Sequence, residues 1–578
     1  MGGGRLLCQT MLLIVLFLHT CLSFTFDHHS PSISKKTTTT TTKRSTTAAA
    51  VHARMSAISD NDVDVLVIGS GIGGLSCAAL LANYGDKVKV LESHYLPGGC
   101  AHGFERDGYR FDSGPSMWSG LSQKSTNPLR QVLDVVGAAD DIEWITYDGW
   151  KMFTPDGEFR FSCNQKEWEA TLERLGEPGV LDQWRRLFEE SRPIQEASVA
   201  FPPLALRADP LAALSLGPYL LDFLKTALIA DKLTGPYEKI YDNIVTDPFL
   251  RNWLNFLAFA LSGLPADGTI TAAMVYTLDD LCKPGAVLDY PRGGSAAIVE
   301  ALAAALERRG GTLELRSHVE EILVEGGRAV GVRLRGGREV RARKAVVSNA
   351  SAWDTARLLP PGTVPDAWRQ GVEDLPDTAS FVHLHLGIDA AGLGPGELEI
   401  HYTVVNAWEP VDAPMGVIIV SIPTVLDPSL APPGKHVVHA YSAGNEPYAD
   451  WEGLDRASEE YRRLKAERAE PLWRALERII PDIRRRAEVD LAGSPLTHAR
   501  FLRRHRGSYG PGIPAGKGSF PGPTHIPIKG LLCCGDSCFP GIGAPAVAGS
   551  GAIAANTLAP IGKQISLINE ARRNGVLQ

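Results

Sequence analysis

Residues 63–92 read VDVLVIGSGIGGLSCAALLANYGDKVKVLE, and the order of residue types within them decides the fold. Val63 to Ile68 is a β-branched, apolar run of the kind that forms a strand buried on both faces. Gly69, Gly71 and Gly74 then satisfy G-x-G-x-x-G. The first glycine permits the tight turn, the second lets the backbone approach a pyrophosphate, and the third lets helix and strand pack closely. The spacing predicts a helix from about Leu75 to Tyr84, whose N-terminal N–H groups and partial positive charge favour phosphate. Lys87 to Leu91 reads as a second strand. Glu92 ends it, 23 residues after Gly69, placed to accept hydrogen bonds from both hydroxyls of an adenosine ribose. A glycine motif alone is a common turn. With strand, helix, strand and acid in sequence around it, it reads as a dinucleotide site. No Arg follows Glu92 directly, which disfavours a 2′-phosphate, so the ligand is FAD or NAD.

Around this unit the composition is that of a globular protein, with 44% hydrophobic and 21% charged residues in 578. Residues 1–57 carry six Lys/Arg and one Asp, so the rest of the chain is more acidic than the net charge of −8 implies. An acidic body with no basic stripe argues against nucleic acid as a partner. The nine cysteines are odd in number and mostly scattered, which argues against a disulfide framework. Met11 to Leu18 is an apolar run after Arg5, too short to span a membrane and laid out like a signal peptide. A basic, Ser/Thr-rich stretch follows Phe24, with transit-peptide composition. The two together resemble the leader of proteins sent to plastids of secondary origin, with the mature chain beginning between Ala53 and Asp60.

Beyond Glu92, the adjacent Gly98 and Gly99 suit a second close approach to a ribityl-pyrophosphate and favour a flavin over nicotinamide. Leu211 to Asp231, interrupted at Gly217 and Pro218, and Trp253 to Leu264, stopped by Gly263 and Pro265, are apolar helical runs, read as core helices in preference to membrane-dipping surface helices. Ser295 is placed to cap a helix bearing Ile298, Leu302 and Leu306 on one face. Short strands follow from Thr312 to Ser348, and the backbone of Val319 stands where an adenine edge would be met. Strands between Ser380 and Tyr441 carry His383, His385, His401 and His439. His383 and His385 share a face, but no Cys, Asp or Glu nearby completes a metal set, so no metal is assigned. Glu459 to Ile480 reads as a solvated helix pair broken at Pro471. The strand Gly530 to Cys534 ends in Gly535 and Asp536 and feeds a small-residue helix from about Pro545. Asp536 would reach ribityl or pyrophosphate oxygens, and the helix N-terminus would face the flavin. Cys533, Cys534 and Cys538 read as strand and turn residues, not zinc ligands or a redox pair.

With these segments in view, the chain resembles the phytoene desaturase-like FAD oxidoreductases, and most of all their carotenoid isomerase branch. Residues 64–114, 290–354 and 497–510 carry the likeness, together with CCGDSCFPGIGAPAVAGSG near the C-terminus. The resemblance implies an α/β, Rossmann-type FAD-binding domain with an interleaved α+β substrate domain. FAD would be held by Gly69, Gly71, Gly74, Glu92, Gly98, Gly99, the Val319 backbone, Gly535 and Asp536. The expected divisions are a leader at 1–57, FAD-binding segments at 58–130, 291–355 and 526–565, a helical substrate segment at 131–290 and a sheet-bearing one at 356–525. The resemblance also implies a carotenoid substrate, peripheral membrane association, and redox-neutral cis-trans isomerisation in a plastid. Ile542, Pro545 and residues 115–120 depart from plant isomerases, which leaves room for a paralogue that hydrates a xanthophyll or desaturates with a quinone acceptor. An amine oxidase shares the architecture, and a carotenoid-binding protein without activity is the non-enzymatic alternative. Glu105, Asp112, His383 and Asp536 are all suited to proton transfer, and the sequence assigns none of them a catalytic role.

Overall fold

The computed structural model describes residues 62–394 and 396–577; the leader lies outside them. The strand Asp62–Ile68 runs parallel to Val88–Leu91 on one side and to Glu339–Ser348 on the other, with Val67 opposite both Val90 and Val347. Thr312–Glu314 extends this sheet beyond Val88–Leu91, and Leu531–Cys533 adds a parallel strand against Glu339–Ser348. The N-terminal half of Glu339–Ser348 instead meets Arg328–Leu334 in antiparallel pairing, and Val319–Glu325 follows. One seven-stranded sheet is thus assembled from three distant parts of the chain.

The first helix spans Ile72–Asn83, beginning earlier than its spacing predicted because Gly71 serves as its N-cap and the next two glycines enter its first turn. It packs on Ala544–Leu558, a helix of small residues. A β-carbon on Gly551 would come within 2.3 Å of the Gly73 carbonyl, so the close approach of these helices requires hydrogen there.

The second seven-stranded sheet runs in the order Ala487–Gly493, His383–Asp389, Lys435–Ser442, Val417–Ser421, His401–Val405, Gly149–Thr154 and Gly157–Ser162. Its last hairpin comes from 131–290, so that segment is not wholly helical. The helix Glu459–Glu477 is continuous through Pro471 rather than a broken pair, and it buries Tyr461, Leu472 and Leu476. Pro248–Ser262 is a core helix, with Trp253 stacked on Phe161 at 5.4 Å between ring centroids.

The reading of Leu211 to Asp231 as a core helix fails. Gly217 and Pro218 divide it into the short pieces Ala212–Ser215, Leu220–Ala227 and Ala230–Thr234. No single continuous stripe faces inward, and Leu221 and Leu228 stand 74% and 73% exposed, with Leu214 and Leu220 also outward. Among the described residues no helix is long and apolar enough to cross a membrane.

Candidate flavin cradle and the buried histidine row

The turn after Asp62–Ile68 is held by its own backbone. Gly69 takes φ +91°, and a β-carbon on Gly74 would lie 2.3 Å from the Gly69 carbonyl. No side chain caps the helix at Gly71, so its buried first turn presents N–H groups without a side-chain acceptor. Gly98 and Gly99 lie back to back with this turn. Gly98 N donates to the Ser70 carbonyl at 3.1 Å, and a β-carbon on Gly99 would be 3.1 Å from the Gly71 Cα. Glu92 is buried at the end of its strand. Its Oε2 accepts from Ser70 N and Oγ at 2.8 and 2.7 Å, and its Oε1 accepts from His94 N at 2.7 Å. Ser317 N donates to the Glu92 carbonyl at 2.7 Å, which brings Val319 to the same end of the sheet.

The C-terminal part closes on the same turn. Gly535 adopts φ +97°, and its Cα would lie 3.1 Å from a β-carbon on Gly73. Asn349, reached by no reading of the sequence, joins the two. Its Nδ2 would be 2.8 Å from a β-carbon on Gly71, and its Oδ1 would be 2.7 Å from one on Gly535. The only signal available was its place at the end of a buried strand. Asp536 lies beside Gly535, where its Oδ2 accepts from Arg504 Nη1 at 2.6 Å. Burial opposes the charge of Arg504, and the Asp536 carboxylate more than offsets it, so its pKa is raised. Arg504 therefore belongs to this rim, although the sequence did not single it out. A ring of glycines where no β-carbon fits, an uncapped helix end and a buried acid suit a dinucleotide such as FAD.

The second sheet turns a polar row inward. His385 pairs across strands with His439, His439 with Ser421, and Ser421 with His401, so all four point to one face. His401 Nε2 lies 3.1 Å from Ser116 Oγ, and its Nδ1 lies 2.9 Å from the Tyr147 hydroxyl. Ser116 Oγ is also 2.6 Å from Ser421 Oγ. His383 Nδ1 and His439 Nε2 share a hydrogen bond of 2.7 Å, and the other ring nitrogen of each has no partner among the described residues. Burial pushes His385 down to about 4 and His401 to about 3, and drives His383 and His439 well below the ordinary value. The row is neutral at physiological pH.

His439 joins His383 and His385 in one group of ring nitrogens within 4.8 Å of one another, and the His498 ring packs on His383 at 4.6 Å between centroids. Cys533 and Cys538, near neighbours in the sequence, meet beside His525. The Ser295 hydroxyl does not cap its helix; it donates to the Pro115 carbonyl.

Of the four proton-transfer candidates, the structure sorts three inward. Glu105 lies on the surface, paired with Arg110 at 3.5 Å. Asp112 is buried between the cradle and the row. Its Oδ1 accepts from Ser295 N at 2.7 Å and its Oδ2 from the Tyr290 hydroxyl at 2.9 Å. Its own carbonyl meets His385 Nε2 at 3.1 Å. Burial raises the Asp112 carboxyl to about 6, against the pull of those donors, so it exchanges a proton near neutrality. Neutral imidazoles, hydroxyls and one acid of raised pKa meet the cradle here.

Residues 72–559 match the family described as flavin containing amine oxidoreductase. The chain is 34% identical over 518 residues to prolycopene isomerase 2, chloroplastic, of an Oncidium hybrid cultivar, covering 86% of this chain and 84% of that one. Prolycopene isomerase, chloroplastic, of Arabidopsis thaliana is also 34% identical, over 86% of this chain and 82% of its own. Among solved structures, putrescine oxidase bound to putrescine shares the fold at a TM-score of 0.54 and 16% identity, over 86% of this chain and 99% of its own. The sheet order, the glycine cradle and a likeness along most of the chain converge, and the protein belongs to the flavin-containing amine oxidoreductases, in the branch of the prolycopene isomerases.

Proposed function

We propose that this protein is an FAD-dependent carotenoid cis-trans isomerase that works without net redox change. The observation that carries the reading is the meeting of the glycine cradle with a buried, uncharged polar row, in a chain akin to prolycopene isomerases over most of its length. Gly69, Gly71 and Gly74 would take the pyrophosphate, and Glu92 the ribose. The Val319 backbone would meet the adenine, Gly98 and Gly99 would lie along the ribityl chain, and Gly535 and Asp536 would face its oxygens. When bound, reduced flavin supplies transient electron density that lowers the order of one conjugated double bond. The protein's part is to orient the polyene, exclude water and hold a proton. Asp112 holds that proton on a carboxyl oxygen, fixed by Tyr290 and Ser295. The histidine row stays neutral, so no fixed imidazolium charge opposes an apolar chain beside it.

The outward leucines between Leu214 and Leu228 support peripheral attachment to the membrane that holds the substrate. The composition of residues 1–57 and the chloroplastic relatives support delivery to a plastid. Anaerobic incubation of the reduced holoprotein with defined carotenoid isomers tests the reading. A product of unchanged mass is expected. A loss of two hydrogens would replace the isomerase with a desaturase, and a gain of water would replace it with a hydratase.

A further inference from the structure

On either side of the turn that carries Gly535 and Asp536 stand two buried thiols, and one imidazole converges on them. One ligand atom each from His525, Cys533 and Cys538 lies within 4.8 Å of the others. Cys533 ends the strand Leu531–Cys533, and Cys538 follows the turn, its N donating to the Gly535 carbonyl at 3.2 Å. Cys533 and Cys538 belong to the apolar layer of Leu66, Val346 and Leu531. Their neighbour Cys534 belongs instead to the layer that holds Leu75 of the helix Ile72–Asn83. The group therefore lies on the sheet face turned away from the helix that opens the glycine cradle.

The loop that brings His525 is fixed on both sides of the turn. Cys533 N donates to the Pro523 carbonyl at 2.8 Å, and Phe539 N donates to the Pro521 carbonyl at 2.9 Å. His525 Nδ1 lies 2.9 Å from the Gly522 carbonyl, which can only accept, so Nδ1 carries the proton. That bond holds the ring in the tautomer whose Nε2 keeps its lone pair, the arrangement usual among metal-bound histidines. The half-buried ring packs against Trp368 at 6.4 Å between centroids.

Buried thiols by themselves are ordinary packing, and in the sequence these two read as strand and turn residues. The fold adds the imidazole. Two thiolates and a neutral imidazole suit Zn²⁺ and are poor ligands for Mg²⁺ or Ca²⁺. On binding, each thiol gives up its proton, and the two sulfur charges cancel those of the ion. A centre of no net charge is compatible with an apolar layer, where an unbalanced ion is not.

We propose that His525, Cys533 and Cys538 form a zinc site, with water as the fourth ligand, that staples the two ends of the turn of Gly535 and Asp536 to the loop 521–525. Its role is structural, and it stands apart from the reaction assigned above.

The FAD-loaded protein is dialysed against a chelator and then titrated with Zn²⁺ alone. One equivalent per chain is expected to bind and to raise the melting temperature. X-ray absorption at the zinc edge should show sulfur at about 2.3 Å and nitrogen at about 2.0 Å. Cys538→Ala should abolish the sulfur-bound equivalent, and His525→Gln should weaken it at least about tenfold. In Cys538→Ala the melting temperature should no longer respond to Zn²⁺. No binding, or variants that bind as the wild type does, overturns the proposal. Zinc bound without sulfur overturns it equally, and would place the ion at His383, His385 and His439 instead. His525 is half-buried on a loop, so His525→Gln keeps the test open if Cys538→Ala fails to fold. None of these readings depends on turnover of a carotenoid.

Discussion

The Oδ1 of Asn349 stands 2.7 Å from where a β-carbon on Gly535 would have to sit, and the same amide reaches Gly71 from its other end. Residues 349 and 535 follow the ends of two strands that pair in parallel, Glu339–Ser348 and Leu531–Cys533, although 186 residues separate them. The side chain of Asn349 is therefore a spacer that sets how closely the N-terminal and C-terminal walls of the cradle approach.

Asn349→Ala removes that spacer while leaving every glycine in place. FAD affinity should fall about tenfold, the equivalent of roughly 1.4 kcal/mol, through slackened walls. Titration of the stripped protein with FAD, followed by flavin fluorescence, measures it. Unchanged affinity would show that the backbone alone holds the two walls.

The contact between the helices Ile72–Asn83 and Ala544–Leu558 sets a second expectation. Gly551→Ala drives a methyl to within 2.3 Å of the Gly73 carbonyl and 3.0 Å of Cys77 N. The helices must part, which should cost about 1–3 kcal/mol and lower the melting temperature. Gly562→Ala is the control. It lies in the helix Ile561–Arg573 with nothing within 4 Å of the new methyl, and it should stabilise by about 1 kcal/mol.

Asp112 gives the structure an unusual response to base. Its carboxyl titrates at about 6 when folded, against 3.8 for the ordinary group. Between those values the native chain binds more protons than the unfolded one, so stability falls as pH rises from about 4 through 6. The loss through this one group is roughly 3 kcal/mol. Asp112→Asn should abolish it, with the variant gaining on the wild type between pH 4.5 and pH 7.5 in urea unfolding. If the two curves run parallel, the buried carboxyl is not the titrating group.

The histidine row responds to acid in the opposite sense. Unfolded histidines take up protons near 6.5, whereas His385 and His401 resist until about 4 and 3. Their share of stability is whole above about pH 6.5 and is lost as pH falls through the folded values. His401→Gln, which keeps a partner for Ser116 or Tyr147, should cost about 1–3 kcal/mol at pH 7 and progressively less towards pH 4. A constant difference across that range would exclude linkage to this imidazole.

Local order made much of this legible. The strand, turn, helix and acid of residues 63–92 needed only short-range spacing, and so did the strand ending in Gly535. In the stretch from Leu211 the break at Gly217 and Pro218 was legible but the burial was not, because an apolar run does not say which way it faces. Gly217 and Pro218 broke it, and its leucines turned outward. Ser295 looked like a cap by type, but its hydroxyl found the Pro115 carbonyl, a partner from another part of the chain.

The sequence by itself determined the glycine turn, the buried acid that ends the second strand and the small-residue helix, because glycine stereochemistry and hydrophobic period act within a few residues. Only the tertiary structure decided that Asn349 bridges both walls, that His385, His439, Ser421 and His401 stand in one row, and that Asp112 is sealed beneath them. Those relations depend on strand register and on burial between segments hundreds of residues apart. Register and desolvation are properties of the packed chain, and no stretch of it carries them alone.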